Sequence, residues 1–352
     1  MALMSSRSPL TPLPLALARL IAALPPLAPR ELPVSEALGF VAAETVTARR
    51  PVPERPLAAR RGVAVSSSDL VGASPYAPAL LQAPPPLLLP GDPLPEGADA
   101  VLPEDAVEAF GGLHEIGQSA YPGEGAVLAG TDLPEGTTLL RAGETVTATA
   151  LLALRLDRRE TLKVWQPSVL VEGDEDARPL AEWLSETLRA VGGRICATAE
   201  AGLRIRLVRD LGAEMAGGEG GAVFSGVAIT PGMETALLET ASGPEILIGP
   251  RPDAVVTVLH ALLLPAIAAW TGRRLRAVSR VLTDKLVSPV GVAGVALLSE
   301  GGAGYKPSAN GQISLPALMA ADAVAIIGPE SEGAAAGTLL PATPLLHPFE
   351  PL

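Results

Sequence analysis

The side chains of this 352-residue sequence with the type and setting for chemistry are carboxylates in short loops. In "PSVLVEGDED" an apolar run ends at Gly173 and meets Asp174 and Glu175 at once. Asp132 closes "GTD" after Gly130, and Asp99 stands in "PLPEGADAVLPED" among Glu96, Glu104 and Asp105. Loops on a rigid scaffold are where chemistry is usually placed. If Asp132, Asp174 and Glu175 converged, they could form an acid cluster around one cation. Each acid also has a plainer role. Asp99 reads as a turn acid that accepts backbone N–H groups, and Asp132 as the cap of a turn. Asp174 and Glu175 precede a helix, where acids suit the macrodipole whatever their function. Glu96, Glu104 and Asp105 read as loop solvation.

Other chemistries are poorly supplied. Cys196 is the sole cysteine, which excludes an internal disulfide, a cysteine-ligated cluster and a cysteine-based zinc site. His114, His260 and His347 lie far apart, without ligand spacing. The net charge of −12 disfavours nucleic acid or a membrane surface as partner, since phosphates are met by basic patches. The arginines at 49, 50, 55, 60 and 61, and at 273, 274 and 276, read as solvated surface.

The elements that must position the acids follow from composition and pattern. The length suggests two or three domains. At 48% apolar but 3% aromatic residues, the core has to be aliphatic, and 36 Pro with 36 Gly imply many short elements. Leu13, Leu17, Ile21 and Leu24 have helical spacing, and Arg19 interrupts them, so 13–24 reads as a helix and not a signal peptide. The apolar run 254–270 holds His260 and Pro265 and is shorter than the roughly 20 residues of a spanning helix, so a buried helix is expected. With neither segment exporting the chain, the cytoplasm is the expected location. "VSEALGFVAAETVTA" starts as a helix, with Ser35 as N-cap, and drifts to β-branched residues. From Gly62 to about Leu140, short apolar stretches between Pro/Gly turns suggest small β-sheets or a barrel. In "PLPEGADAVLPED", Pro93 and Pro95 stiffen a turn, Gly97 lets it reverse, and Ala98–Leu102 is the strand. A short helix is expected over Ala150–Leu156. A strand over "PSVLVEG" then leads into a helix with Leu180, Leu184, Leu188 and Val191 on one face. Strand, acidic loop and helix open an α/β layer, in which ligands collect at strand C-terminal ends. Further strands follow at "VAITP" and "EILIG", and the chain from Val278 on reads as β without helical periodicity.

In this order the motifs resemble the MoeA family, the molybdopterin molybdenumtransferases related to the E domain of gephyrin. "VSEALGFVAAETVTARRPVP" resembles the family's opening and "PLPEGADAVLPED" its Pro-x-Gly-Ala-Asp-Ala-Val-Val segment. "GTDLPEGTTLLRAGETV" and "VEGDED" resemble its Gly-Glu-Asp and Thr-Gly-Asp-Glu stretches. "AITPG" and "LIGPRPDAVVTVLHALLLPAIAAWTG" follow its Lys-Pro-Gly and Gly-Asn-Pro order, and "SRVLTDKLVSPVG" begins a segment similar to its closing β domain. The resemblance covers nearly the whole chain. It implies an α/β plus β fold with an elongated, multidomain architecture. A split first lobe takes 1–50 and 141–165, a β-rich insertion 51–140, a MogA-like α/β domain 166–276 and a C-terminal β domain 277–352. It implies a cytoplasmic homodimer that ligates molybdate into adenylylated molybdopterin with Mg²⁺. Asp132, Asp174 and Glu175 would be the catalytic and metal-binding acids. Gly173, Gly226, Pro231, Gly232, Arg251 and Pro252 would bind the pterin.

The departures bear on function. Arg61 and Val63 in "RGVAV" stand where the family's motif has an acid and a tyrosine, and an arginine neither ligates a cation nor acts as a base. Thr131 replaces a glutamate and Thr230 a lysine, Arg251 stands at the asparagine of the Gly-Asn-Pro turn, and Pro250 disturbs that turn. The family's Ser-Gly-Gly loop is missing, the segment around it looks shortened, and Glu219 in "GGEGG" would repel a phosphate. Three functions stay open. One is an active molybdenum-insertion enzyme, another a binding or accessory protein on the retained scaffold. The third is an unrelated enzyme built on Asp132, Asp174 and Glu175.

Overall fold

The structure, a computed structural model, describes residues 9–197, 201–217 and 220–350. By packing the chain falls into two units. One comprises the described residues of Met1–Glu44, Ala142–Thr147 and Leu162–Leu352, and the other Thr45–Arg141 with Ala148–Thr161.

The smaller unit is built from short antiparallel ladders, as its dense Pro and Gly require. Gly62–Val65 lies between Leu87–Leu88 and Ala100–Leu102, and Leu113–Ile116 between Ala79–Leu81 and Val107–Phe110. Val63, Val65, Leu70, Ala100, Leu102 and Ile116 form an aliphatic core. A Cβ on Gly62 would run into the Leu102 carbonyl, so glycine permits the close approach of these strands. The expected strand over Ala98–Leu102 begins only at Ala100. Ala98 donates its N–H to Pro95 in the turn (3.1 Å), where Gly97 takes φ +87°. The helix Ala148–Leu156 also belongs to this unit.

In the larger unit, helix Leu13–Ala23 buries Ala16 and Leu20, while Ile21 is exposed. Steps of four residues drift about 40° each around a 3.6-residue helix, so the buried stripe runs through the alanine between the leucines. The helix expected from Ser35 is a single 3₁₀ turn, Val34–Glu36, with Ser35 inside it and no side-chain cap. Gly39, at φ +82°, and the β-branched residues that follow end it.

The six-stranded sheet of this unit has the order Arg194–Ile195, Ser168–Gly173, Leu203–Leu207, Gly243–Ile248, Thr235–Thr240 and Gly221–Ser225. The first four are parallel, and Thr235–Thr240 is antiparallel to both its neighbours. One face carries Val169, Leu203, Ile205, Ile246 and Ile248 into a core with Leu184 and Leu188 of helix Arg178–Ala190. That core continues into the apolar helix Pro252–Thr271, whose middle turn Leu259–Leu263 is π-helical and which Gly272 closes at φ +71°. It is the one helix among the described residues long and apolar enough to cross a membrane, and it is mostly buried inside this unit. The other sheet face carries Glu172, Arg204, Arg206 and Glu245. Parallel neighbours usually need a crossover of a dozen or more residues. Here Ile195 and Leu203 are joined through 196–202, whose described residues carry no helix.

A second six-stranded sheet contains Ile229–Thr230, Ala293–Gly301, Ala323–Ile327, Leu339–Pro344 and Val278–Val281, with Gly304–Asn310 paired to Ala293–Gly301. Against the expectation of strands alone, Leu315–Met319 is helical. Ser314 caps it by accepting the Ala317 N–H, and Pro316 sits in its first turn.

Candidate functional site at the strand ends

Strand register brings most of the expected site residues to one end of the α/β sheet. Gly173 pairs with Leu207, Leu207 with Ile248, and Ile248 with Thr235. Gly226 donates its N–H to the Thr235 carbonyl at 2.9 Å. Asp174 and Glu175, Val208 to Arg209, Gly249 to Pro252, and Gly226 with Gly232 therefore succeed one another along that edge. At a strand spacing near 4.8 Å, Gly173 and Gly226 stand on the order of 20 Å apart, so the edge is a row and not one pocket. Asp132 belongs to the other unit, where its N–H donates to the Val52 carbonyl (2.9 Å) and its side chain is exposed. Glu219 lies outside the described residues.

The edge includes a topological switch. From Ser168–Gly173 the chain goes to Arg194–Ile195 on one side and then returns to Leu203–Leu207 on the other. Such points open a crevice beyond the strand ends. An open cleft of about 460 Å³ lies there, with Asp174, Arg206, Arg209 and Glu214 among its walls.

Every carboxylate lining this cleft is engaged. Asp174 Oδ1 accepts the Ala177 N–H at 2.9 Å in the turn that precedes helix Arg178–Ala190, and Oδ2 meets Arg209 Nε at 3.1 Å. The Nη2 of Arg209 pairs with Asp176. Glu172 meets Arg204 at 3.4 Å, and Arg206 pairs with both Glu214 and the nearly buried Glu245. Burial opposes the charge of Arg206, but the two glutamates outweigh it and hold its pKa above the ordinary value. Asp210 Oδ1 accepts the Ala213 N–H at 2.9 Å. Glu175, exposed just beyond Asp174, stands outside these pairs.

The residues expected to hold the pterin differ in what they can offer. Gly173 packs tightly, since a Cβ there would sit 3.0 Å from the Ala177 methyl. The N–H of Gly226 is already used. Gly232, at φ +99°, lies over Thr257 and Val258 of the long helix, next to the cis peptide Thr230–Pro231. Pro231 and Pro252 have no N–H to give. Arg251 has donors to spare. It is mostly exposed at the start of helix Pro252–Val258, fixed by two hydrogen bonds to the buried Asp253, which raise its pKa.

A divalent cation does not fit the acids that are present. Among the described residues no three His, Cys, Asp or Glu side chains gather as a metal site. Both oxygens of Asp174 are taken, and in the smaller unit Arg61 pairs with Glu104 at 3.0 Å. Glu104, read as mere loop solvation, thus has a partner. The sequence reading passed over Arg204, Arg206, Arg209 and Asp176. The signal was the alternation in "LRIRL", which places Arg204 and Arg206 on one face of a strand, but Glu172, Glu245, Asp174 and Asp176 are brought to these arginines by strand order and not by spacing.

Residues 11–155 match the family model for the MoeA N-terminal region, domains I and II. Over 330 residues the chain is 26% identical to molybdopterin molybdenumtransferase 2 of Mycobacterium tuberculosis, covering 75% of this chain and 81% of that protein. Two crystal structures of molybdopterin biosynthesis MoeA proteins from Pyrococcus horikoshii share its fold. One has a TM-score of 0.72 at 21% identity, covering 96% of this chain and 99% of that one. The other has a TM-score of 0.68 at 19% identity, covering 95% and 99%. Residues 11–155 thus match the MoeA N-terminal region, and nearly the whole chain shares its mixed α/β fold with these MoeA structures.

Proposed function

We propose that this protein works in molybdenum-cofactor biosynthesis by binding molybdopterin or its adenylylated form at the strand-end edge, without metal-dependent insertion of molybdate. The observation that carries this reading is the pairing of every acid in the cleft with a guanidinium or a backbone N–H. Insertion of the kind the relatives' name describes needs acids free to take a cation. Binding a phosphorylated pterin needs only donors, and Arg251, fixed at a helix N-terminus, supplies them. In this reading Asp253 orients Arg251. The homodimer, which rests on the family resemblance, and the cytoplasmic location belong to the same proposal. Sedimentation of the purified chain tests the first, and fractionation of the native cells the second.

Titration of the chain with molybdopterin, followed by pterin fluorescence, tests the binding role. Saturable binding that Arg251→Ala weakens about tenfold is expected, which is one charge-assisted hydrogen bond's worth. A strain lacking the insertion enzyme should not be rescued by this chain. Rescue would show that molybdate insertion persists, and absence of pterin binding would remove the proposal altogether.

A further inference from the structure

We infer that Arg209 is the resident cation of the strand-end acids: its guanidinium sits between Asp174 and Asp176 where a divalent ion would have to sit, and keeps such an ion out. The inference concerns the strand ends alone and stands even if the pterin-binding reading fails. Its geometry comes from the parallel ladder. Gly173 pairs with Leu207, so Asp174, one residue past the first strand, and Arg209, two past the second, emerge side by side. The planar guanidinium presents Nε–H and Nη2–H along one edge, and here that edge meets two different carboxylates. Magnesium binds through one or two carboxylates and retains several waters in near-octahedral geometry. Asp174 already accepts Arg209 Nε at one oxygen and the Ala177 N–H at the other.

The neighbouring groups make the arrangement general along this strand. Arg204 and Arg206 alternate on one face of Leu203–Leu207, and Arg209 follows just past its end. Together the three arginines take up Glu172, Glu214, Glu245, Asp174 and Asp176. A second chemistry on the same face, the Asp210 carboxylate, is spent on the Ala213 N–H. Exposed pairs are individually weak, so the guanidinium acts less by the strength of its bonds than by its charge at the ion's position. In water, a unit charge about 4 Å from a divalent ion changes the ion's affinity roughly thirtyfold.

Mn²⁺, which reports its free concentration by electron paramagnetic resonance, is the probe. It is titrated into the intact chain, into Arg209→Gln, into Asp174→Asn and into the double variant. The wild-type chain should leave Mn²⁺ free at concentrations where Arg209→Gln binds one ion roughly thirtyfold more tightly. The double variant should lose that gain. Arg209 is exposed, so its replacement leaves the fold intact, which circular dichroism verifies. Binding of Mn²⁺ by the wild type that Asp174→Asn abolishes would overturn the inference. So would an Arg209→Gln variant that gains nothing, or a gain that survives loss of Asp174.

Discussion

At Asp99 one carboxylate ties two loops together. Its Oδ1 accepts the Ser67 N–H and its Oδ2 the Ser67 hydroxyl, both at 2.6 Å. The hydroxyl first, and then the backbone N–H, hold the Asp99 pKa below the ordinary carboxylate value. A folded pKa that is depressed stabilises the fold above the unfolded pKa, near 3.9, and that contribution is lost as pH falls through the folded pKa. Asp99→Ala is expected to cost about 1.5–3 kcal/mol at neutral pH, with the gap to wild type closing below about pH 4. Urea denaturation at the two pH values measures it, and an equal gap at both would contradict this role. That Asp99 would accept a backbone N–H was legible from its Pro, Gly and Asp neighbourhood, although the donor, Ser67, lies in another loop. Arg209 was not, because its partners are set by strand order and not by spacing.

Helices with a clean 3.6-residue period were the most legible elements. Arg178–Ala190 buries Leu184 and Leu188 as its pattern implies, and the apolar run at 254–270 is a buried helix. Elements that were missed or misread owe their form to tertiary contacts. Leu203–Leu207 alternates arginines with buried leucine and isoleucine because one of its faces lacks a full helical cover, and the helix expected at Ser35 stops after one turn. The long helix also stores a pH dependence. His260 lies in its π-helical turn, with Nδ1 buried and lacking a hydrogen-bond partner, and desolvation pushes its pKa down to about 4. The unfolded chain, with an ordinary histidine near 6.5, therefore takes up a proton that the fold refuses as pH falls from about 6.5 to about 4. Stability should decline across that window, and His260→Gln should flatten the decline when denaturation midpoints are compared. An unchanged slope would show that another group titrates there. In the smaller unit, Gly62→Ala forces a Cβ onto the Leu102 carbonyl and is expected to cost about 1–3 kcal/mol. Hydrogen exchange should locate the loss in the ladder of Gly62–Val65 and Ala100–Leu102, and protection there equal to wild type would contradict it.

For the molecule as a whole, seven weak motifs in the right order pointed to the MoeA family, and the fold of nearly the entire chain agrees with it. The fate of the site was half legible. Arg61 stands where the resemblance expects an acid, whereas the pairing of the cleft acids appeared only once the strands were placed beside one another. Arginine supplied from the same chain takes the part that a bound ion would otherwise take, and the expected consequence is ligand binding indifferent to divalent metal. Calorimetric titration of the intact chain with adenylylated molybdopterin, once in excess EDTA and once in excess Mg²⁺, tests this most directly. The same dissociation constant, within a factor of about two, is expected in both. Binding that appears only with Mg²⁺, or tightens tenfold or more in its presence, would contradict it.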